Sequence, residues 1–342
     1  MRIDVHAHII PESFVEVSPS EQEEGVYNVR FTDETSGEVL YTARARGSNY
    51  MAEQMYSTDQ RLSDMDARGI DMHALSVPTS NLFYSMEPEN ALKVARATNN
   101  GFAELVSAHP DRFVALASVP LQTPGGAARE LERAVRELGL HGVQIATNVN
   151  GKNLDDPELT PFYAKVQELD VPVFIHPNNI LGSDRLNAFH LGNLIGNPTE
   201  DALAVASLIF GGVLKEFPRL KFYVAHGGGS CPFLRGRWEH GWRVRDDART
   251  RIDRPPSEYF RLFYFDSLTH SGPALNYLVE ACGPDRVMLG SDYPYDMSDI
   301  DPVRAIASLP HLSDAQRELI YGGNAMQLFR IEDRGSPPTR PL

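Results

Sequence analysis

Five residues of this chain could together build a site for a divalent cation. They are His6 and His8 in Ile3-Asp4-Val5-His6-Ala7-His8, His176 in His176-Pro177, His226 in His226-Gly227-Gly228-Gly229, and Asp292 in Ser291-Asp292-Tyr293-Pro294. Side chains two apart on a strand point to the same face, so His6 and His8 can clamp one ion, a geometry that adjacent residues rarely reach. Imidazole nitrogens and a carboxylate suit Zn²⁺ and other borderline divalent ions, and three histidines with one carboxylate leave a position for water. A cation held this way lowers the pKa of its water to about 7 and makes hydroxide available at neutral pH. A lone His-x-His is more often part of a surface strand than a site. Position reverses that weighting, because the chain has only 11 histidines, and four of them together with Asp292 fall at the ends of four separate strand-like runs.

A site assembled from strand ends needs a scaffold that brings those ends together. Short runs rich in Val, Ile, Leu, Phe and Tyr recur along the chain, each followed by a polar loop and a stretch with helical spacing, the pattern of repeated βα units. Eight runs are predicted as strands: Arg2–Ile9, Asp71–Val77, Phe113–Val119, Gly142–Thr147, Val171–His176, Lys221–His226, Leu262–Asp266 and Arg286–Ser291. Helical segments between them include Pro88–Ala108, Gly126–Leu138, Pro157–Leu169, Thr199–Glu216 and Pro273–Cys282. An open doubly wound sheet would share much of this local pattern, but eight alternations close most economically as a (β/α)₈ TIM barrel. In that fold the site lies at the C-terminal ends of the strands, where these histidines and Asp292 fall. Residues Pro11 to about Ser57 are too long for an ordinary connection. They are expected to form an insertion after strand one, a lid or small hairpin over the barrel mouth. The catalytic domain is expected to span residues 1–331. The remaining segment, 332–342, ends in Gly335–Leu342, which has little to bury and is expected to be a mobile tail.

Composition narrows the partners. A chain of 342 residues with 42% hydrophobic residues can bury a large core, while a net charge of −14 and a pI near 5.2 disfavour nucleic acid. A small-molecule partner is expected instead. Cys231 and Cys282 are the only cysteines and form no CxxC, which fits a reducing, cytoplasmic setting. Met1-Arg2 leads directly into the first strand, so no signal peptide is expected. The longest apolar stretch, Ala202 to Leu214, falls short of the roughly 18 residues a membrane span needs and reads as a buried barrel helix. His109, His141 and His311 sit beside Pro110, Gly142 and Pro310, where capping and solvent contact suffice. His73 reads as a satisfied barrel histidine. His190, His240 and His270 lie in positions that could touch substrate, and Asp266, ending strand seven, could orient a ligand imidazole.

Taken with Gly142-Val143-Gln144-Ile145, Phe210-Gly211-Gly212-Val213, Val224-Ala225-His226-Gly227-Gly228-Gly229 and Gly322-Gly323-Asn324-Ala325, the four ligand-bearing motifs resemble the amidohydrolase superfamily. The likeness is greatest to its amidohydrolase-related decarboxylase branch, the aminocarboxymuconate-semialdehyde decarboxylases and dihydroxybenzoate decarboxylases. It runs from strand one to about Ile331 and leaves only the insertion loosely matched. The resemblance implies that His6, His8, His176 and Asp292 are metal ligands and that His226 is the catalytic histidine. It also implies that Asp292 either stays a ligand or shares proton duty. Many hydrolytic relatives bridge two metals with a carboxylated lysine on strand four; this chain has Gln144 there, so one ion is expected, Zn²⁺ first, with Mn²⁺ or Fe²⁺ as alternatives.

The implied reaction is non-oxidative decarboxylation of an aromatic or unsaturated carboxylic acid. His226 would move the proton, since its ordinary pKa lies near about 6.5 and a neighbouring cation would lower it. A hydrolase or hydratase using metal-activated water is the alternative, and a non-catalytic metal-binding protein the least supported. A carboxylate substrate calls for arginine, whose fork matches it in geometry. Arg44 and Arg46 lie in the insertion, and Arg237, Arg243 and Arg245 follow the strand-six glycines beside Trp238 and Trp242. Positions equivalent to Arg237 and Arg245 help bind substrate in the muconate-semialdehyde group, at least one of them across a dimer interface, so a homodimer or higher homo-oligomer is expected. The chain departs from that group where Ser48 and Ala52 replace its upstream arginines. It departs again where Asn178, a candidate substrate contact, stands in place of a tryptophan after His176-Pro177.

Overall fold

The computed structural model describes residues 1–16, 26–32, 36–37, 39–46 and 51–332, with the backbone alone described at 26–27, 43–46 and 51–52. Eight parallel strands stand side by side in chain order: β1 (Ile3–His8), β2 (Met72–Ser76), β3 (Phe113–Ala117), β4 (Gly142–Ala146), β5 (Pro172–His176), β6 (Lys221–Val224), β7 (Tyr264–Asp266) and β8 (Val287–Met288). The last returns to the first: Val5 N–H donates to the Leu289 carbonyl at 2.9 Å, and Ala7 bridges to Tyr293. The barrel expected from the eight alternations is therefore the fold. Each observed strand is shorter than its predicted run, β8 most of all, at Val287–Met288 against Arg286–Ser291. At β6 the reason is local, since the chain turns into left-handed conformation at His226 (φ 54°).

The strands are apolar on both faces because both are covered, as parallel sheets require. Ile3, Val5, Met72, Ala74, Val114, Leu116, Phe174, Tyr223 and Met288 pack inside the barrel, and Ala325, Leu328 and Phe329 of the helix Asn324–Phe329 join them from below. Leu75, Ala115, Val143, Val173, Ile175, Phe222, Val224 and Val287 face outward into the larger core beneath the helices. The helix Asn197–Phe210 buries Ala202, Ala204, Val205, Leu208 and Ile209, as read from its apolar run. Among the described residues no helix is long and apolar enough to cross a membrane.

One irregularity matters for the site. Between Asp4 and Ala7 strand β1 advances three residues while β2 advances two, from His73 to Leu75. The extra residue is a bulge, which reverses the alternation of faces beyond it. Ile3 and Val5 therefore fill the barrel interior while His6 and His8, of opposite parity, also face inward above them.

The insertion is a three-stranded antiparallel sheet of Val15–Glu16, Val26–Thr32 and Val39–Arg46 rather than a single hairpin. Val29 and Phe31 share a small core with Ile10, Met55, Tyr56 and Val94, against which Tyr295 packs. The Tyr295 ring lies 5.3 Å from that of His8, so this core adjoins the ligand-bearing end of β1. The fully buried Arg61 fastens the same region, donating to the carbonyls of His8 and Gln54 and stacking on Tyr293. The tail Gly335–Leu342 lies outside the described residues.

Candidate active site

Four imidazoles converge at the C-terminal ends of β1, β5 and β6, and each is aimed by an acceptor on its Nδ1. His6 Nδ1–H donates to Asp266 Oδ2 at 2.6 Å, as the end of strand seven suggested. His8 Nδ1–H donates to the Val77 carbonyl at 3.0 Å, that of His176 to the Pro177 carbonyl at 3.1 Å, and that of His226 to Asp201 Oδ2 at 2.9 Å. Every Nε2 is thereby turned toward the others, and in the neutral tautomer it carries the lone pair. His6 Nε2 and His8 Nε2 are 3.1 Å apart and each is 3.1 Å from Asp292 Oδ1. His176 Nε2 lies 3.9 Å from the same oxygen, and His226 Nε2 lies 3.7 Å from Asp292 Oδ2.

This arrangement fits a divalent cation. Unpaired buried polar atoms are costly, yet His176 Nε2 and Asp292 Oδ1 are buried with no hydrogen-bond partner among the described residues. Donor atoms of His6, His176, His226 and Asp292 all lie within 4.8 Å of one another, and His8 Nε2 touches the same cluster. Second acceptors on ligand imidazoles fix tautomer and ring orientation, which is how metal sites are usually supported. Gln144, standing where a bridging lysine would be needed for two ions, is occupied elsewhere. It accepts from Val77 N–H at 3.1 Å and donates to the Val77 carbonyl at 3.0 Å, bracing the carbonyl that aims His8.

The electrostatics of the site call for positive charge. Burial pulls the His6 imidazole down, but the Asp292 charge and the Asp266 hydrogen bond overcome it and hold it at about 9. Burial also opposes a proton on His226, yet Asp201 and Asp292 lift it well above its ordinary value. Burial alone dominates at His176, carried down to about 3, and it lowers His8. Asp292, which burial would raise, is held well below the usual carboxylate range by His6, His176 and His226.

Backbone geometry aims the two residues with proton-bearing potential. His226 (φ 54°) and Asp292 (φ 66°) are both left-handed, and their main-chain N–H groups donate to Asp266 Oδ2 at 3.0 Å and to the His6 carbonyl at 2.8 Å. Gly229 (φ 58°) is required as glycine, since a Cβ there would meet the Pro198 carbonyl oxygen at 2.2 Å. A cavity of about 650 Å³ opens over His226 and Asp292, walled by Leu194, Pro232, Phe233, Leu268, Tyr277 and Leu278, with Thr269, His270 and Ser271 at one side.

The remaining sequence candidates are distributed differently. His270 reaches the cavity wall, whereas His73 sits outside the barrel interior between Arg61 Nη1 at 3.2 Å and Asp4 Oδ2 at 3.8 Å. Arg237 and Arg245 are exposed on and just after the helix Cys231–Val244, and Arg245 pairs with Asp247 at 3.2 Å. Neither lines the cavity of this chain. Trp238 and Trp242, beside those arginines, are partly buried against the main core, whereas Phe233 of the same helix is exposed by 83%. Asn178 Nδ2 donates to the Thr79 carbonyl at 3.3 Å and its Oδ1 accepts from Asn179 N–H at 2.9 Å. Arg44 and Arg46 fall in the strand Val39–Arg46, and their side chains lie outside the described residues. Asp201 is the residue that sequence reasoning missed. It carries no motif and stands just before the apolar run that begins at Ala202, beside another acid, Glu200.

A (β/α)₈ barrel with His-x-His on β1, further histidines at the ends of β5 and β6, and an aspartate after β8 defines a metal-dependent barrel enzyme. The chain belongs to the amidohydrolase family, whose model matches residues 3–331. Within it the chain is a member of the decarboxylase group, enzymes of the carboxy-lyase class. It is 36% identical to 2-amino-3-carboxymuconate-6-semialdehyde decarboxylase of Dictyostelium discoideum over 97% of this chain and 92% of that one. It is 31% identical to gamma-resorcylate decarboxylase of a Rhizobium species over 80% of this chain and 87% of that one. Among solved structures, a dihydroxybenzoic acid decarboxylase from a Polaromonas species, with bound manganese and the inhibitor 2-nitroresorcinol, aligns at a TM-score of 0.79 and 26% identity. That alignment covers 96% of this chain and 97% of the other.

Proposed function

We propose that the chain decarboxylates an aromatic or unsaturated carboxylic acid without oxidation, using one divalent cation held by His6, His8, His176 and Asp292. The observation that carries this reading is His226, whose Nε2 faces the cavity beside Asp292 while its Nδ1 is held by a buried carboxylate. The cation would supply a Lewis acid that anchors and polarises the oxygens of the bound acid. Leu194, Pro232, Leu268 and Leu278 offer an apolar wall for the body of the substrate, in a cavity of the size that ligand sites usually have. As the bond to the carboxylate breaks, its electron pair stays on the carbon and CO₂ leaves. His226 delivers the proton that this carbon takes up, and the carboxylates of Asp201 and Asp292 favour the protonated imidazole that such a donor needs. Arg44, Arg46, Asn178, Arg237 and Arg245 stand as candidate substrate contacts. Zn²⁺ suits the three imidazoles and one carboxylate, with Mn²⁺ and Fe²⁺ as competitors. The catalytic unit spans residues 1–331, with 11–57 as a lid and 332–342 as a tail. Two free, buried cysteines support a reducing, cytoplasmic setting.

The test is CO₂ release from 2,6-dihydroxybenzoate and from 2-amino-3-carboxymuconate-6-semialdehyde by enzyme loaded in turn with Zn²⁺, Mn²⁺ and Fe²⁺. One mole of CO₂ per mole of acid consumed is expected with at least one pairing. Consumption of acid with no CO₂ would move the reading to a hydrolase or hydratase.

We also propose that the active form is a homodimer. Phe233 and Leu194, exposed by 83% and 48% at the cavity rim, support it, because apolar side chains gathered at one mouth favour burial against a second copy. Arg237 lies one helical turn beyond Phe233, where a partner's cavity could receive it. Mixing Arg237→Ala with His226→Ala subunits should restore part of the lost activity, since a hybrid dimer holds one site with both residues intact. Full activity in a species that sediments as a monomer would overturn the shared site.

A further inference from the structure

We propose that Asp201 is a positioning residue for His226, fixing its Nδ1–H tautomer and the direction in which Nε2 points. This rests on the decarboxylase reading for its kinetic consequence but not for its geometry. Asp201 is fully buried on the helix Asn197–Phe210 and does not line the cavity, so it acts through the imidazole it touches and not on substrate. Its Oδ2 accepts the His226 Nδ1 proton at 2.9 Å. The helix that carries it is registered against the turn that carries His226: Ser230 N–H donates to the Pro198 carbonyl at 3.0 Å, and the bare Cα of Gly229 packs on that same carbonyl. The neighbouring Glu200 pins the other flank, accepting from Leu181 N–H at 2.7 Å and from Asn148 Nδ2 at 3.2 Å. With its main-chain N–H donated to Asp266 Oδ2 at 3.0 Å, His226 is held at backbone and ring by two separate aspartates. Removing the acceptor frees the ring to adopt the other tautomer, in which Nδ1 carries no proton and giving up the one on Nε2 would leave an anionic imidazolate, a far weaker donor than the imidazolium held by Asp201.

The experiment pairs Asp201→Asn with His226→Ala in a double-mutant cycle on zinc-loaded enzyme, using 2,6-dihydroxybenzoate as probe. Asp201→Asn alone should lower kcat by about 10- to 100-fold, the usual cost of losing a supporting partner, with metal content retained and KM changed far less. In the His226→Ala background the same substitution should change the residual rate by less than about twofold, because residues that act as a unit are not additive. Equal losses in both backgrounds, or a normal rate in the single variant, would overturn the assignment. A measurement on the unsubstituted enzyme needs no variant to turn over. Selective ¹⁵N-histidine labelling, with the His226 signal assigned by its loss in His226→Ala, should show a protonated Nδ1. A His226 protonated at Nε2 alone, or averaging between tautomers, would refute the proposal even if the function is right. Failure to release CO₂ from any acid would defeat the function and leave the tautomer result standing.

Discussion

Replacing His226 with alanine is expected to leave the cation in place and to lower turnover by at least about 100-fold, the scale on which a removed general acid or base is felt. The separation of the two effects follows from distance. His226 Nε2 stands 3.7 Å from Asp292 Oδ2, whereas His6 and His8 crowd Asp292 Oδ1 at 3.1 Å, so the tight part of the cluster survives the substitution. His226 is also the imidazole most open to the cavity, with 16% of its side chain exposed against none for His6 and His8. Elemental analysis beside steady-state kinetics separates the outcomes. Loss of metal along with activity would make His226 a ligand, and a near-normal rate would remove it from the reaction.

Asp292→Ala and His6→Ala are expected to release most of the metal and to abolish turnover. Unsubstituted protein should carry about one divalent ion per chain, since neutral imidazole and carboxylate donors bind cations only as a near-complete set. Asp292 supplies the one anionic oxygen that both β1 imidazoles face. Without it, three buried Nε2 atoms would hold a dication with no compensating charge in contact. His6 is gripped at both ends, by Asp266 and by the cluster, so its removal also leaves Asp266 Oδ2 without its closest partner. Two tightly held ions per chain, or unchanged metal in both variants, would falsify the mononuclear site.

The scaffold and the ligand motifs were legible because they obey short-range rules. Strand runs such as Val173-Phe174-Ile175 sit between two apolar layers and announce themselves as unbroken hydrophobic stretches. His6, His8, His176, His226 and Asp292 each follow such a run, which places them at one end of the barrel without reference to any contact. The two-residue spacing of His6 and His8 predicted a shared face, and the structure shows it. The bulge between Asp4 and Ala7, which lets Ile3 and Val5 face inward as well, left no mark in a run of ordinary strand residues.

Asp201 was hidden for a different reason. An acid in the first turns of a helix is what the helix dipole favours at any surface, so nothing local separates Asp201 from a solvated residue. Only the meeting of that helix with the His226 turn, 25 residues further on, gives it a function. The setting of Trp238 and Trp242 was equally hidden. Residues of that type are enriched at interfaces, but these two are held by Phe210 and the main core, and the large apolar residues that this helix exposes are Phe233 and Val244.

The acceptors that aim the four imidazoles come from Asp266, the Val77 and Pro177 carbonyls and Asp201, all on strands, strand ends or a packed helix. Of the residues that wall the cavity, Leu194, Phe233, Leu268 and His270 belong to loops or to the first turns of helices. The groups that aim the imidazoles and those that wall the cavity are thus carried by different parts of the chain. Under the proposed reaction, exchanging a handful of rim residues is expected to change which acid is accepted while the reaction centre is kept. An inhibitor that grips the rim should discriminate among such enzymes, while one that only chelates the ion should hit them all.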